Sequence, residues 1–407
     1  WVDVPFREVP GRHMQRHLAY WSVSEVCKVT LSNGVVGWGE TLPFYTWGRV
    51  SEEACGRVIG RSPLELLWDD SLGAGLQMAL WDAAGRALEM PCHVLMGPQV
   101  REACPLSWWC IDMPAEDWAA EAQEAVAQGY THLKLKPRPW FDVYEQTEAI
   151  ARVVPDYFEL DHDFNGFLRD ASRALPVLKR LEEYPHVKMF ETPIPQQDVA
   201  GYRRLRAAVE RPIALHYGVP PIDVALQEEI CDGFVLGGGA FRLRQQAALC
   251  AEFRKPFWLQ LVGTGITTAW TLQLGATFAY ARWSAITCLN LYADDLIMEP
   301  IQVRGGFAQL PPGPGLGIIV DQEALERYRI EPPVRKEFPR RLFIVRFGDG
   351  HATCFANADA YHDHFYASND PLFQPGTRLE TWEDDGSPEF QDLYQRAQRG
   401  PVRLKEG

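Results

Sequence analysis

The sequence predicts an α/β protein, a parallel barrel of eight strands preceded by a small α+β unit. Three observations predict it. From Cys104 to Asn290, short apolar runs alternate with amphipathic stretches of helical period. Charged residues close consecutive runs at an even interval: Lys136, then Asp163 after 27 residues, then Glu191 after a further 28. Ahead of these lie two strand-like runs joined by Asn33-Gly34 and then a helix. Each interval has room for one helix and one strand. A lysine and two carboxylates recurring at that period stand side by side on one rim of a parallel barrel.

The elements follow in order. WSVSEVCKVTLSN and VVGWGE form a β-hairpin over residues 20–40. Leu72, Leu76, Ala79, Leu80, Ala83 and Leu88 recur at helical spacing, and Pro91 ends that helix. The barrel strands are expected at 104–111, 131–136, 157–163, 187–191, 212–216, 233–237, 256–261 and 285–290. Seven helical stretches lie between them, AEDWAAEAQEAVAQG and FDVYEQTEAIARVV among them. Strands alternating with helices through short links give a parallel sheet, and eight repeats close it. An open doubly wound sheet is the alternative, but no GxGxxG follows the first strand, and Gly237-Gly238-Gly239 comes too late in the series. The expected units are 1–103, 104–330 and 331–407. The last is read as a hairpin turned at Gly348-Asp349-Gly350 followed by an irregular segment, which packs on the surface or mediates self-association in a homo-oligomer.

Composition narrows the function. With 40 basic and 54 acidic residues the net charge is −14, which argues against nucleic acid, since phosphate binding needs a basic face. No apolar run approaches 18 residues, so no membrane span is expected, and no signal-peptide pattern is read. Nine scattered cysteines without a CxxC pair read as reduced thiols in a cytoplasmic protein.

Functional groups of a parallel barrel sit at the C-terminal ends of its strands. Those positions hold Lys136, Asp163, Glu191, His216, Gly237 and Gln260. Asp163 and Glu191 are hard oxygen donors suited to Mg²⁺. Asn165 is placed to orient a ligand, and Asp161 shares the Asp163 face by strand alternation. Lys134 and Lys136 share a face in the same way. Their repulsion is expected to lower both pKa values and leave an amine able to accept a proton. His216 is open between metal ligand, general acid and core histidine. Trp108 and Trp109, at the end of the first strand, are candidate pocket walls, against packing as the commoner role. Arg12, His13, Arg16 and His17 are candidates to meet an anionic substrate, against a solvated basic loop. A zinc hydrolase barrel ranks last, because SWWC carries no His-x-His.

Over about residues 20–330 the chain resembles the enolase superfamily, mandelate racemase/muconate lactonizing branch. The carriers are Gly37-Trp38-Gly39-Glu40, ALWDAAGRALEMPCHVLMG at 79–97, Lys134-Leu135-Lys136, Asp163-Phe164-Asn165-Gly166, Glu191-Thr192-Pro193 and PPGPGLGI at 311–318. The resemblance implies a (β/α)7β modified TIM barrel under an N-terminal α+β capping domain, with the site between them. It implies removal of the proton alpha to a carboxylate, giving an enediolate held by Mg²⁺, Mn²⁺ or another divalent metal. Lys136 matches the base, Lys134 its electrostatic neighbour, and Asp163 and Glu191 the first two metal ligands. The third ligand position, usually Asp-Glu, is His216-Tyr217, and Mg²⁺ prefers oxygen to nitrogen. Gly237 and Gln260 stand where the family carries further bases, which disfavours two-base racemisation. The implied activity is that of a lyase (dehydratase) or isomerase acting on a small anionic hydroxy or sugar acid. Lys136 takes the proton, and His216 or Tyr217 protonates a leaving group. A decayed scaffold kept for binding or regulation is the alternative.

Overall fold

The computed structural model describes residues 1–45 and 48–404. The hairpin forms as expected: β1 (Val23–Thr30) pairs antiparallel with β2 (Val36–Thr41) from Thr30↔Val36 to Glu25↔Thr41. Gly34 turns it with φ at +87°, a conformation costly to any other residue. β2 lies directly on α1 (Ala74–Ala87). The glycines of the GWGE motif make that approach possible: a Cβ on Gly39 would come within 2.0 Å of the Gly75 carbonyl oxygen, and one on Gly37 within 2.3 Å of Ala79's. Asp82, fully buried in α1, accepts from the Trp38 N–H at 2.9 Å and the Leu316 N–H at 2.8 Å, and pairs with Arg86 at 2.9 Å. One carboxylate thus ties hairpin, helix and the 311–318 loop together.

The central sheet runs β3 (Trp108–Cys110), β4 (His132–Leu135), β5 (Glu159–Asp163), β6 (Val187–Glu191), β7 (Ile213–His216), β8 (Gly233–Leu236) and β9 (Phe257–Leu259). All neighbours are parallel and in sequence order, so the sheet curls. Its two edges meet through one short segment, with Ala285 bridging Leu106 and Ile286 bridging Gln260, both in parallel sense. The connecting helices are α2 (Ala115–Ala127), α3 (Val143–Ala151), α4 (Ala171–Leu181), α5 (Val199–Ala208), α6 (Ile222–Gln227), α7 (Ala240–Glu252) and α8 (Gly265–Gly275).

Two carboxylates fix the N-terminus of α8. Glu40, from the hairpin, accepts from the Thr264 and Thr267 N–H groups at 3.0 and 3.2 Å and from the hydroxyls of Ser24, Thr264 and Thr267. Asp295 accepts from the Gly265 N–H at 2.8 Å. Negative charge at a helix N-terminus offsets the unpaired N–H groups and the dipole.

The C-terminal segment is not irregular, contrary to expectation. The hairpin at Gly348-Asp349-Gly350 does form, between β10 (Arg341–Arg346) and β11 (Ala352–Phe355). It is followed by α9 (Ala358–Ala367), β12 (Arg378–Glu383), α10 (Pro388–Ala397) and β13 (Val402–Leu404). The sheet order is β12-β10-β11-β13, all antiparallel. Leu342, Ile344 and Cys354 pack with Phe390 and Ala397 of α10 in a small core of their own. The alternate residues Phe343, Val345 and Phe355 join Tyr361 and Phe365 of α9 in the main core. No helix among the described residues is long and apolar enough to cross a membrane, and the nine cysteines are unpaired.

Two outcomes follow from this packing. Gly39→Ala should destabilise the fold by about 1–3 kcal/mol through overpacking against α1. A urea midpoint equal to that of the wild type would show that the hairpin can lift off the helix freely. The second concerns pH. Burial pushes the Asp295 carboxyl up from 3.8 to about 6, against its bonds from Gly265 and Leu296, with the Glu40 charge adding to the rise. The folded chain therefore holds a proton that the unfolded chain releases first. Its contribution to stability is full below the unfolded value and lost as pH rises through about 6. Asp295→Asn removes this titration, so between about pH 4 and 6.5 the variant should gain stability relative to wild type as pH rises. Parallel pH profiles of the two urea midpoints would contradict it.

Candidate active site

Strand register builds the site. Trp109, Lys134 and Asp161 are successive partners across β3, β4 and β5, and Asp163 is the partner of Glu191 across β5 and β6. Lys134 is fully buried. Its Nζ pairs with Glu191 Oε2, stands 3.5 Å from Asp163 Oδ2 and donates to Gln260 Oε1 at 2.9 Å. From the far wall, Trp258 presents its ring 4.9 Å from the same ammonium. One layer higher, Lys136 donates to Asp163 Oδ2 and, at 3.0 Å, to Asn165 Oδ1. Its side chain keeps 14% exposure, against 0% for Lys134. Arg138 donates to the same Asn165 oxygen at 2.7 Å and to the Asp163 carbonyl at 3.1 Å. His216 Nε2 lies 3.2 Å from Glu191 Oε1.

The two lysines do not shift together, which corrects the expectation that repulsion lowers both. Burial would push the Lys134 ammonium down, but Glu191 and Asp163 more than offset it, and the net shift is upward. Lys134 is a fixed positive charge. For Lys136 burial prevails over Asp163, with Lys134 adding to the fall. Asp163 is buried too, but Lys136, Lys134 and Arg138 hold its carboxyl well below the usual range. Burial, and then the Glu191 charge, push the Asp161 carboxyl far up. Lys134 and Arg138 keep positive charge beside Asp163 and Asn165 at this rim.

Of the residues singled out in the sequence, Lys134, Lys136, Asp163, Asn165, Glu191, His216 and Gln260 come together. Four others do not. Tyr217 follows His216 on the opposite face of the strand. Its ring packs edge-on against Phe234 at 5.6 Å, and partial burial on the side of the outer helix α7 raises its phenol pKa. Trp108 likewise points outward, donating from Nε1 to Glu121 of α2 at 3.0 Å beneath the Arg7 guanidinium. His13 bonds Asp117 in the first turn of α2 at 2.6 Å, and Arg12, more than half exposed, is 3.6 Å from the same carboxylate. Arg16 instead pairs with Asp112 at 3.0 Å, and His17 with the Tyr361 hydroxyl at 2.8 Å.

One contributor was overlooked, and two were named without their roles. Arg138 continues the alternation of Lys134 and Lys136, a signal present in KLKPR. Of the two tryptophans read as candidate pocket walls, Trp109 is the one that faces inward. It stacks on Trp21 at 5.6 Å, Trp21 packs edge-on against Tyr45 at 4.7 Å, and the Tyr45 hydroxyl accepts from Gln260 Nε2 at 3.3 Å. The N-terminal unit thereby reaches the barrel rim. Asp161 was placed on the Asp163 face and given no role. Its Oδ1 is buried without a hydrogen-bond partner.

The donor set can be tested against a divalent metal. Both Glu191 oxygens are buried, Oε2 against the Lys134 ammonium and Oε1 3.2 Å from His216 Nε2. Asp163 lies beside them on the neighbouring strand. Among the described residues, however, no three His, Cys, Asp or Glu side chains are arranged to hold a metal, and the third expected ligand, His216, contacts the Glu191 carboxylate instead. Two carboxylates completed by water and substrate oxygens is the ordinary way a protein binds Mg²⁺. The residues fit that mode and not a closed cage.

Comparison with known proteins agrees with this geometry. A profile of the enolase C-terminal domain-like family matches residues 117–324, just over half of the chain. D-gluconate dehydratase of Thermoproteus tenax is 28% identical over 81% of this chain and 74% of its own length. The o-succinylbenzoate synthase of Bacillus subtilis is 27% identical over 73% of this chain and 86% of its own. Among solved structures, 2-chloromuconate cycloisomerase of Rhodococcus opacus superposes with a TM-score of 0.64 at 22% identity, covering 75% of this chain and 91% of that one. An enolase of Thermobispora bispora complexed with magnesium and formate gives 0.63 at 20% identity, covering 75% and 85%. The chain belongs to the enolase C-terminal domain-like family, in the mandelate racemase/muconate lactonizing branch of the enolase superfamily.

Proposed function

We propose that this protein removes the proton alpha to the carboxylate of a small hydroxy or sugar acid, as a lyase (dehydratase) or isomerase, with Lys136 as the base. One observation carries the reading. Of two lysines on one strand face, Lys134 is locked among Glu191, Asp163 and Gln260, while Lys136 lies above it and keeps access to the rim. The working assignment of units is 1–103 as cap, 104–330 as barrel and 331–407 as an appended module.

A divalent cation on Asp163 and Glu191, Mg²⁺ in the first instance, would offset the negative charge that builds on the substrate carboxylate as the proton leaves. The protein's own groups do the rest. The positive charge of Lys134 and Arg138 draws in the anion. Lys136, whose ammonium is disfavoured by burial, gives up its own proton to solvent at the rim, and its neutral Nζ then takes the alpha proton. Lys134, unable to give up its own, stabilises the developing charge from below. In a dehydration the beta C–O bond then breaks and the leaving hydroxyl needs a proton. His216, 38% exposed beside Glu191, is the rim group suited to supply it. Tyr217 is withdrawn from that role by its outward position. Gln260, bridging Lys134 and Tyr45, joins the substrate floor to the cap.

A second reading, a binding protein on the same scaffold, draws on Gly237 and Gln260, which offer no base. One experiment separates the two. The full chain is incubated with Mg²⁺ and a panel of aldonic, aldaric and aromatic hydroxy acids in D₂O, and NMR follows alpha-proton exchange and keto-acid formation. Turnover of at least one acid is expected, falling by about 10²–10⁴ in Lys136→Ala with the fold intact. No exchange with any acid would favour the binding protein, and exchange indifferent to Lys136 would overturn its role as the base. Chelation gives an independent check. EDTA should abolish turnover yet leave the melting temperature unchanged, because Lys134 and Lys136 already neutralise Glu191 and Asp163. A large fall in melting temperature on chelation would make the metal structural.

A further inference from the structure

The family match ends at residue 324, but the module at 341–404 holds the rim of the barrel at several points. The Tyr366 hydroxyl donates to the Asn165 carbonyl at 2.7 Å, and its ring stacks on Phe167 with centroids 4.0 Å apart. Arg169 donates from Nε to the Phe365 carbonyl at 3.1 Å and reaches the Ser368 carbonyl as well, occupying the open acceptors at the C-terminal end of α9. Asp142, the N-cap of α3, donates its N–H to the Thr377 carbonyl at 2.9 Å and accepts from the Gly376 N–H at 2.7 Å. With the His17–Tyr361 contact, the module bonds the loops after β4 and β5 and the N-terminal segment.

The loop after β5 carries the consequence. Asn165 and Arg169 both hold left-handed backbone, with φ at +46° and +65°, a conformation that surrounding contacts must sustain in residues other than glycine. On its inner side the loop is bonded to the next strand end: Phe164 N–H to the Glu191 carbonyl, Gly166 N–H to Thr192 and Leu168 N–H to Pro193. On its outer side the Asn165 carbonyl and the Arg169 guanidinium are taken by the module. Asn165 is also where the donors of Lys136 and Arg138 meet, so a shift of its backbone displaces the partner of the proposed base and strains the adjoining Asp163.

We infer that the C-terminal module is a brace for the active site, with Tyr366 and Arg169 as positioning residues that hold the Asp163–Arg169 loop in its working geometry. The inference rests on the proposed function for what the loop is held to do. Two variants of the full chain test it, Tyr366→Phe, which removes one hydrogen bond and keeps the stack on Phe167, and Arg169→Ala, with Arg169→Lys as the conservative control. Hydrogen exchange of the 164–169 amides and titration with Mn²⁺ alone, read by electron paramagnetic resonance, are measured beside the melting temperature. Exchange in that segment should rise and Mn²⁺ affinity fall by about threefold to tenfold, the worth of one hydrogen bond. The melting temperature of Tyr366→Phe should stay at the wild-type value, and Arg169→Lys should recover part of the loss. Exchange at 164–169 unchanged in both Tyr366→Phe and Arg169→Ala overturns the brace. A wild-type chain that takes up no Mn²⁺ either alone or with a hydroxy acid present counts against the proposed activity, while the exchange data still decide the brace.

Discussion

The buried ammonium of Lys134 is the constraint around which the barrel is arranged. An isolated charge at full burial costs several kcal/mol after relaxation, and here the cost is met from three other strands. Glu191 comes from the end of β6, Asp163 from β5, and Gln260 and the Trp258 ring from β9 and its end on the far wall. No local segment can supply these partners. They converge only when the sheet curls and its edges are joined through Ala285 and Ile286. The ammonium also fixes register. A slip of one residue in β4 would turn Lys134 toward the helices and bring Leu133 or Leu135 inward, leaving Glu191 buried without its cation. The same charge differentiates the two lysines. Because Lys134 is committed to the carboxylates below, Lys136 is the amine left at the rim.

A second set of carboxylates places the N-terminal unit over this floor. Glu40 and Asp295 approach the start of α8 from opposite parts of the chain and share its unpaired N–H groups between them. Asp82 ties the hairpin to α1 and to the 311–318 loop. Once the hairpin is fixed at both points, Trp21 and Tyr45 are delivered to Trp109 and Gln260. The placement of the N-terminal unit against the rim is therefore a packing consequence of buried carboxylates away from Lys134 and Lys136, and the absence of Cβ atoms at Gly37 and Gly39 lets the hairpin lie close enough for it.

Much of this was legible in the sequence, for reasons that differ by residue. Periodicity locates the strands, and the even spacing of Lys136, Asp163 and Glu191 locates the rim, because one βα repeat has a nearly constant length. Alternation within a strand was applied to Lys134 and Lys136 but not carried on to Arg138, nor used to choose Trp109 over Trp108 or to set Tyr217 apart from His216. Each of those errors is a single step along a period-two pattern. The unequal fates of the lysines were beyond reach, since they depend on how far each Nζ stands from the carboxylates and not on the Lys-x-Lys spacing. The C-terminal module escaped for a physical reason. Its helices are short and its core is split, with alternate residues of β10 serving α10 on one side and the barrel on the other, so no single amphipathic face announces the fold.

Under the proposed function, the substitution at His216 changes the order of binding more than the chemistry. A third carboxylate at that position would add a negative oxygen donor to Asp163 and Glu191 and favour a divalent cation held before any substrate arrives. An imidazole beside Glu191 adds no such charge, and Lys134 and Lys136 already neutralise the two carboxylates present. The cation then gains most when an anionic substrate brings its own oxygens and charge to the rim, and the substrate in turn gains from the cation. Coupling of this kind is reciprocal, each ligand raising the affinity of the other by the same factor. A site built in this way is kept folded by its lysines in the absence of ligand, and is completed as a catalyst only when metal and acid are present together.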